Sequence, residues 1–334
     1  MALAECVEVY LRDGERARRA LASSGLLAPY KPRRMGDRLL LPVTSPGEAL
    51  SLLDRHGIRA RICRSEFEEY TAKKTPKPPL SYVMVGDIII VNPRRGVEDL
   101  SYYKGVAEEF LSHVKRARSV YLKVGTHGVY RTAKLVHLAG IDDTRTIHRE
   151  YGLRFHVDLA KVYFNPRLAS ERARIAGLTS DGERVLDMFS GAGGYSIHVA
   201  SRSSTLVLAV DINHYAAAYA AINVRANRQV MKGRVAVLRA DAYKLPRIHA
   251  AVFDRVIMDN PTNPSPYAPI ACKMLSGKGA IHYYTLTISK NEAADEASNV
   301  FTHACRKFDI MLVREVLEYS PEYSVYVVDL EAEK

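Results

Sequence analysis

At 334 residues the chain is long enough to bury a substantial core and has the length of two or three domains. Its 47% hydrophobic and 25% charged residues are ordinary for a soluble globular protein. The N-terminus lacks a signal peptide's apolar region and no run approaches membrane-spanning length, so a secreted or membrane protein is excluded and a cytoplasmic one expected. Cys6, Cys63, Cys272 and Cys305 are scattered without C-x-x-C spacing, which indicates neither a zinc site nor a disulfide framework and fits a reducing compartment. No metal is expected.

A net charge of +11 makes a polyanion the leading partner. Residues 1–65 hold 12 Lys+Arg against 7 Asp+Glu, residues 66–155 hold 15 against 11, and the remaining 179 hold 21 against 19. Nine of the eleven excess charges therefore precede residue 156.

In chain order, residues 1–66 read as a small α+β unit: a helix over "AECVEVYLRDGERARRALASSG", a strand "DRLLLPV", and a helix "SPGEALSLLDRHG" opened by Ser45 as N-cap and Pro46 as its first residue. Residues 67–80 form a linker, since Pro76, Pro78 and Pro79 remove donors. A second α+β unit, 81–155, opens with "SYVMVGDIIIVN" as a strand and continues through the helix "YYKGVAEEFLSHVKRA" to the strand "SVYLKVG". The stretch "LRFHVDLAKVYF" alternates like a half-buried antiparallel strand. From 156 to 334, short apolar strands alternate with helices, which argues a doubly wound α/β sheet.

In "VLDMFSGAGGYSIHVA" an apolar strand ends at Asp187, and a turn carrying Gly191, Gly193 and Gly194 leads into a helix from about Tyr195. Such glycines let a ligand approach the backbone. Asp211 ends the next strand about 20 residues later, where an acid accepts from ribose hydroxyls. Asp241 ends the third. An acid inside the turn would repel a pyrophosphate and suits a cationic, phosphate-free ligand such as S-adenosylmethionine, with Asp211 on the ribose and Asp241 near the adenine. Ile212 and Ala242, beside these acids, join the expected cofactor site. Each acid alone is more simply a strand-end cap; the joint spacing favours the cofactor.

"VLDMFSGAGGYSI", "DRVIM…P", "GAIHYYT", "GVYRTAKLVHLAG" and "TRTIHREYGLRFHVDLAKVYFNPRLASERARIAG" resemble the archaeal and eukaryotic tRNA guanine-37 N1-methyltransferases, and "SYVMVGDIIIV" and "GDRLLLPV" extend the resemblance over nearly the whole chain. It implies a class I, Rossmann-like methyltransferase domain preceded by two small α+β domains. The first of these would read the outer corner of tRNA and the others grip the anticodon stem-loop, the chain acting as a monomer.

Guanine N1 carries a proton, so methylation there needs a base and a partner for charge developing on O6. The resemblance places the base on Glu171 and the O6 partner on Arg131. It also places Arg172 and Phe189 at the cofactor and Tyr163 near the target base; a surface arginine and core aromatics are the plain alternatives. Aminocarboxypropyl or C7-methyl transfer to a wyosine precursor is the rival activity, and Arg131 favours N1. A non-catalytic RNA-binding homologue is the reading from another class.

One stretch departs from the family. "DRVIMDNPTNPSPY" shows Asp259, Asn260 and Pro261 where these enzymes usually show Asn-Leu-Pro, closer to the loop of enzymes that methylate amino groups, which makes an adenine or guanine amino group a minor alternative target. A carboxylate accepts from both N1–H and the N2 amino group, so Asp259 is expected on the Watson–Crick edge of the guanine, sharing the proton-accepting task with Glu171, with Asn260 and Pro261 also against the base. The alternative is a loop acid capping the next helix.

Overall fold

The computed structural model describes residues 2–68, 80–94, 96–128, 132–248 and 250–334. Two compact units divide between Lys77 and Pro78. Most of the expected linker, 69–79, lies outside the described residues, as does Arg131.

In the first unit, β1 (Ala2–Tyr10), α1 (Gly14–Ser23), β2 (Arg33–Met35), β3 (Arg38–Pro42), α2 (Pro46–Arg55) and β4 (Ala60–Phe67) form a four-stranded sheet in the order β2-β3-β1-β4 with the helices packed on it. The helix expected from Ala4 begins only at Gly14. Residues 2–10 form a strand instead, because their apolar positions recur every second residue and bury Val7 and Val9 against Leu21, Leu41 and Leu53. Ser45 is the N-cap of α2, though its side chain makes no capping bond.

The reading of the cysteines is also corrected: Cys6 is bonded to Cys63, its directly opposite partner on β1 and β4, and Cys272 to Cys305. Their Cα atoms lie 4.8 and 5.4 Å apart. Spacings of 57 and 33 residues carry no motif, and strand pairing alone brings the first pair together. Closing loops of this size stabilises by roughly 4 kcal/mol each in the chain-entropy account. Reductant should therefore lower the melting temperature by several degrees, and thiol titration of the unreduced, denatured chain should find no free thiol.

The second unit opens with β5 (Tyr82–Val85) and β6 (Ile88–Val91), followed by α3 (Leu100–His113), β7 (Ser119–His127) and β8 (Thr132–Gly140), which make a sheet in the order β5-β6-β7-β8. The expected single strand "SYVMVGDIIIVN" is a hairpin, turned by Gly86 at φ +58. A Cβ at Gly86 would press on Thr146 Oγ1 and come within 2.7 Å of Ile147 O, so glycine is needed for the close approach of the next hairpin as well. That hairpin is β9 (Arg145–Glu150) with β10 (Leu153–Asp158), and β10 spans the expected boundary at residue 155.

Then follow α4 (Ala169–Gly177), β11 (Arg184–Asp187), α5 (Gly194–Arg202), β12 (Leu206–Asp211), α6 (His214–Asn227), β13 (Arg234–Arg239), α7 (Leu245–Ile248), β14 (Phe253–Met258), α8 (Ala268–Met274), β15 (Leu275–Thr287), α9 (Lys290–Thr302), β16 (Lys307–Glu318) and β17 (Ser324–Glu333). The sheet order is β13-β12-β11-β14-β15-β17-β16, parallel through β15 and antiparallel beyond. Chain order reverses between β11 and β14, and ligands of such sheets bind beyond the carboxyl ends at that switch point. The earlier domain reaches this place through a core of Ile88, Tyr121, Val157, Val162, Ala192 and Ala216. Among the described residues, no helix is long and apolar enough to cross a membrane.

Candidate functional site

β11 delivers Asp187, fully buried, to the switch point. Backbone bonds from Met188 to Ile257 O (3.0 Å) and from Ser190 to Val210 O (2.8 Å) tie the following turn to both neighbouring strands. Gly191 (φ +52) and Gly193 (φ +86) turn it into α5. Asp187 Oδ2 accepts from the Ser196 amide (3.2 Å) and hydroxyl (2.6 Å), while Oδ1 is buried without a partner among the described residues. Burial pushes its pKa up to about 7 against the Ser196 bonds, and the charges of Asp259 and Asp211 add to the rise. An orphaned carboxylate oxygen beside an approachable turn fits the cationic end of S-adenosylmethionine.

Asp211 ends β12 with Oδ2 accepting from the Gly191 amide and Oδ1 from the Asn213 amide, both at 2.8 Å. Burial raises its pKa against these two bonds. Each oxygen retains an acceptor position for a ribose hydroxyl. Asp241 accepts from the Tyr243 amide (3.0 Å), Ala242 is buried beneath, and Ile212 is exposed. Phe189 meets Tyr267 edge to face at 4.9 Å, and Tyr267 meets Tyr243 at 6.3 Å. Burial, then Asp241, raises the Tyr267 hydroxyl pKa. This aromatic shelf beside Asp241 suits an adenine. Sequence reasoning missed Tyr243 and Tyr267, although each stands just after a strand-end acid or proline. Asp211→Ala should weaken S-adenosylmethionine binding by about 1.5–3 kcal/mol in calorimetric titration while tRNA affinity holds.

Asp259 follows β14, next to Asp187's strand. Its partly buried carboxylate has no hydrogen-bond partner among the described residues, and burial pushes its pKa up to about 6, opposed by Arg172 and reinforced by Glu171. It does not cap the next helix: the 3-10 turn Ser265–Tyr267 and α8 both start without a side-chain cap. Asn260 instead closes the loop, its amide donating to Met258 O (2.9 Å) and its Nδ2 to Asn263 O (3.2 Å), with Pro261 following. Tyr163 exposes 53% of its surface, yet its hydroxyl pKa is raised, first by burial of the hydroxyl end and also by Asp259's charge. Asn165 Nδ2 donates to that hydroxyl at 3.4 Å.

Glu171, in the first turn of α4, is 1% exposed. Its Oε1 accepts from Arg174 Nη2 (2.7 Å) and the Tyr284 hydroxyl (2.8 Å); its Oε2 accepts from Arg174 Nε (2.9 Å) and from Arg314. Those four donors fill the acceptor positions of a carboxylate. Arg174 continues to Asp329 (2.7 Å), which meets His282 (2.6 Å). Arg172 is buried in a two-pronged pair with Glu150 (2.9 Å each) and donates to Asn165 O (3.1 Å). A Cβ on Gly194 would meet its Cδ at 2.8 Å, so Arg172 backs the start of α5 while its charge reaches Asp259.

Residues 146–313 match the model of the TRM5/TYW2 methyltransferase domain, half of the chain. The chain belongs to the TRM5/TYW2 methyltransferase family. Residues 65–144 match the TYW2 N-terminal domain and 6–50 the tRNA methyltransferase 5 N-terminal domain, so the family's architecture extends through the chain. The tRNA (guanine(37)-N(1))-methyltransferase Trm5b of Pyrococcus abyssi is 34% identical over 83% of each chain, and that of Methanocaldococcus jannaschii 30% over 98% and 99%. The solved P. abyssi Trm5b superposes with a TM-score of 0.72 at 29% identity over 99% of this chain and all of that one. A complex of aTrm5 with tRNALeu gives 0.68 at 29% over 98% and 99%, and M. jannaschii Trm5 with adenosine 0.64 at 30% over 99% of both.

Proposed function

We propose that this enzyme transfers a methyl group from S-adenosylmethionine to N1 of guanosine-37 in tRNA. The observation that carries this reading is the edge on which Asp187, Asp211 and Asp259 gather at the ends of three adjacent parallel strands, in a chain similar over nearly its whole length to an enzyme named for the N1 activity; Asp259, the departure from the family, has no hydrogen-bond partner among the described residues. When bound, S-adenosylmethionine supplies the methyl group as a cation equivalent. Asp187 and Asp211 hold it, and Phe189, Tyr267 and Asp241 frame its base. Asp259 faces the Watson–Crick edge and takes the N1 proton as the N–CH3 bond forms, so no charge is left on the base. A pKa of about 6 keeps it ionised at neutral pH and close enough to the working pH to act. Tyr163 flanks the guanine, Asn260 and Pro261 fix the loop, and Glu171 with its four donors holds α4 against β15 and β16. Arg131 remains the proposed O6 partner.

Relatives of full length that include the N-terminal unit bear the N1 activity in their names, and a family member has been solved with tRNA. Residues 1–66 are accordingly assigned to the tRNA corner and 81–155 with the catalytic domain to the anticodon stem-loop. One chain carries every group the reaction needs, so a monomer suffices, and a tRNA substrate puts the work in the cytoplasm. C7-methyl transfer is the second reading, because Taw21 of Saccharolobus solfataricus, named for 4-demethylwyosine methylation, is 30% identical over 75% of this chain. Nucleoside mass spectrometry of a guanosine-37 transcript incubated with enzyme and S-adenosylmethionine should show 1-methylguanosine. Its absence, with turnover only on 4-demethylwyosine tRNA, would establish the second reading.

A further inference from the structure

Hairpin β9–β10 buries one face, with Glu150, Leu153, Phe155 and Val157 inward, and exposes the other. On the exposed face Arg149 and Arg154 stand directly opposite one another, and among the described residues neither has a carboxylate partner. Like charges in opposed positions destabilise a strand pair. They cannot relax by moving the strand: Asn223 and Asn227 of α6 pin the backbone of His156 and Arg154 with bonds of 2.6–3.0 Å, occupying the free edge of β10. The turn is unusual in the same sense. Tyr151 (φ +49) and Gly152 (φ +81) both have positive φ, the signature of a type I′ turn, whose first position favours Asn, Asp or Gly. A tyrosine there, 67% exposed, carries backbone strain that its burial does not explain.

Along β9 runs an open groove of about 470 Å³, lined by Asp87, Arg116, Arg118, Arg145, Ile147 and Arg149. Arg118 pairs with Asp87 (3.0 Å) and Arg145 with Asp143 (2.9 Å), while among the described residues Arg116 and Arg149 have no carboxylate partner. Arg149 thus belongs both to the groove, with Arg116, and to the hairpin face, opposite Arg154.

We propose that Arg116, Arg149 and Arg154, with Tyr151 at the hairpin tip, dock the sugar–phosphate backbone of the tRNA substrate. This rests on the tRNA reading above. Phosphates spaced along a strand would relieve the arginine repulsion and accept two-pronged guanidinium bonds. The exposed ring can lie against a ribose or an unstacked base.

Binding of a tRNA transcript is to be titrated from about 0.05 to 0.3 M salt, with wild type, R149A/R154A and R149K/R154K. The alanine variant should bind roughly tenfold more weakly near 0.1 M salt. The slope of log affinity against log salt should fall by roughly 1.5, at ~0.7–0.9 for each phosphate no longer neutralised. Its melting temperature should be unchanged or higher, and the lysine variant should recover most of the affinity. Unchanged affinity and slope in R149A/R154A, with wild type binding and methylating the same tRNA, would overturn the docking face alone. A wild type that does not bind tRNA would overturn the function on which it rests.

Discussion

Asp259→Ala is expected to lower the single-turnover methylation rate by roughly 10²–10⁴-fold with tRNA and cofactor binding intact, the usual span for removal of a positioned proton acceptor. Asp259→Asn should also be slower than wild type, but less so than Asp259→Ala, because an amide is what the family usually carries at this position. A carboxamide keeps the shape but cannot take a proton, and Glu171 already carries Arg174, Arg314 and Tyr284. The wild-type rate should rise with pH through about 6 and then level, because only the ionised carboxylate accepts, and the break should vanish in Asp259→Asn. Stability follows the opposite sign. The folded pKa is raised, so the protonated form is the one the fold favours; its contribution is complete below the ordinary aspartate value and lost as pH rises through about 6. Asp259→Asn should therefore melt no lower than wild type at pH 8. Turnover within a few-fold of wild type in Asp259→Asn would move the proton to Glu171.

The catalytic sheet was legible because its central strands are short apolar runs, each stopped by an acid: Asp187, Asp211 and, just past β14, Asp259. Those acids lie at carboxyl ends, and parallel strands bring such ends to one edge. What the sequence concealed has a common cause. Glu171 meets Tyr284 and Arg314, 113 and 143 residues away, and its neighbour Arg174 meets Asp329, 155 residues from Arg174, and no local pattern encodes pairs at that distance. The disulfide between Cys6 and Cys63 is likewise a product of strand pairing. Two misreadings were of period instead. Residues 2–10 alternate, but the helical run that follows lent them its character, and the Gly86–Asp87 turn is hidden inside a long apolar stretch.

Glu171→Gln separates anchoring from proton transfer. The amide keeps one oxygen and turns an NH2 toward guanidinium donors, so at least two charge-assisted bonds are lost from a buried position, at about 1–3 kcal/mol given that Arg314 is half-exposed. The melting temperature should fall by several degrees. The rate at saturating substrates should also drop, by roughly 10²-fold or more, because α4 carries Glu171 and Arg172 together and Arg172 backs the turn into α5. The decisive measurement is the pH profile of what activity remains. If Glu171 anchors, the break near pH 6 survives in Glu171→Gln, since Asp259 still takes the proton. If Glu171 is the acceptor, the break is absent, the residual rate is flat with pH, and binding and melting temperature stay close to wild type. The two carboxylates thus differ in one respect that the profile reads directly: Asp259 has acceptor positions to spare, and those of Glu171 are filled.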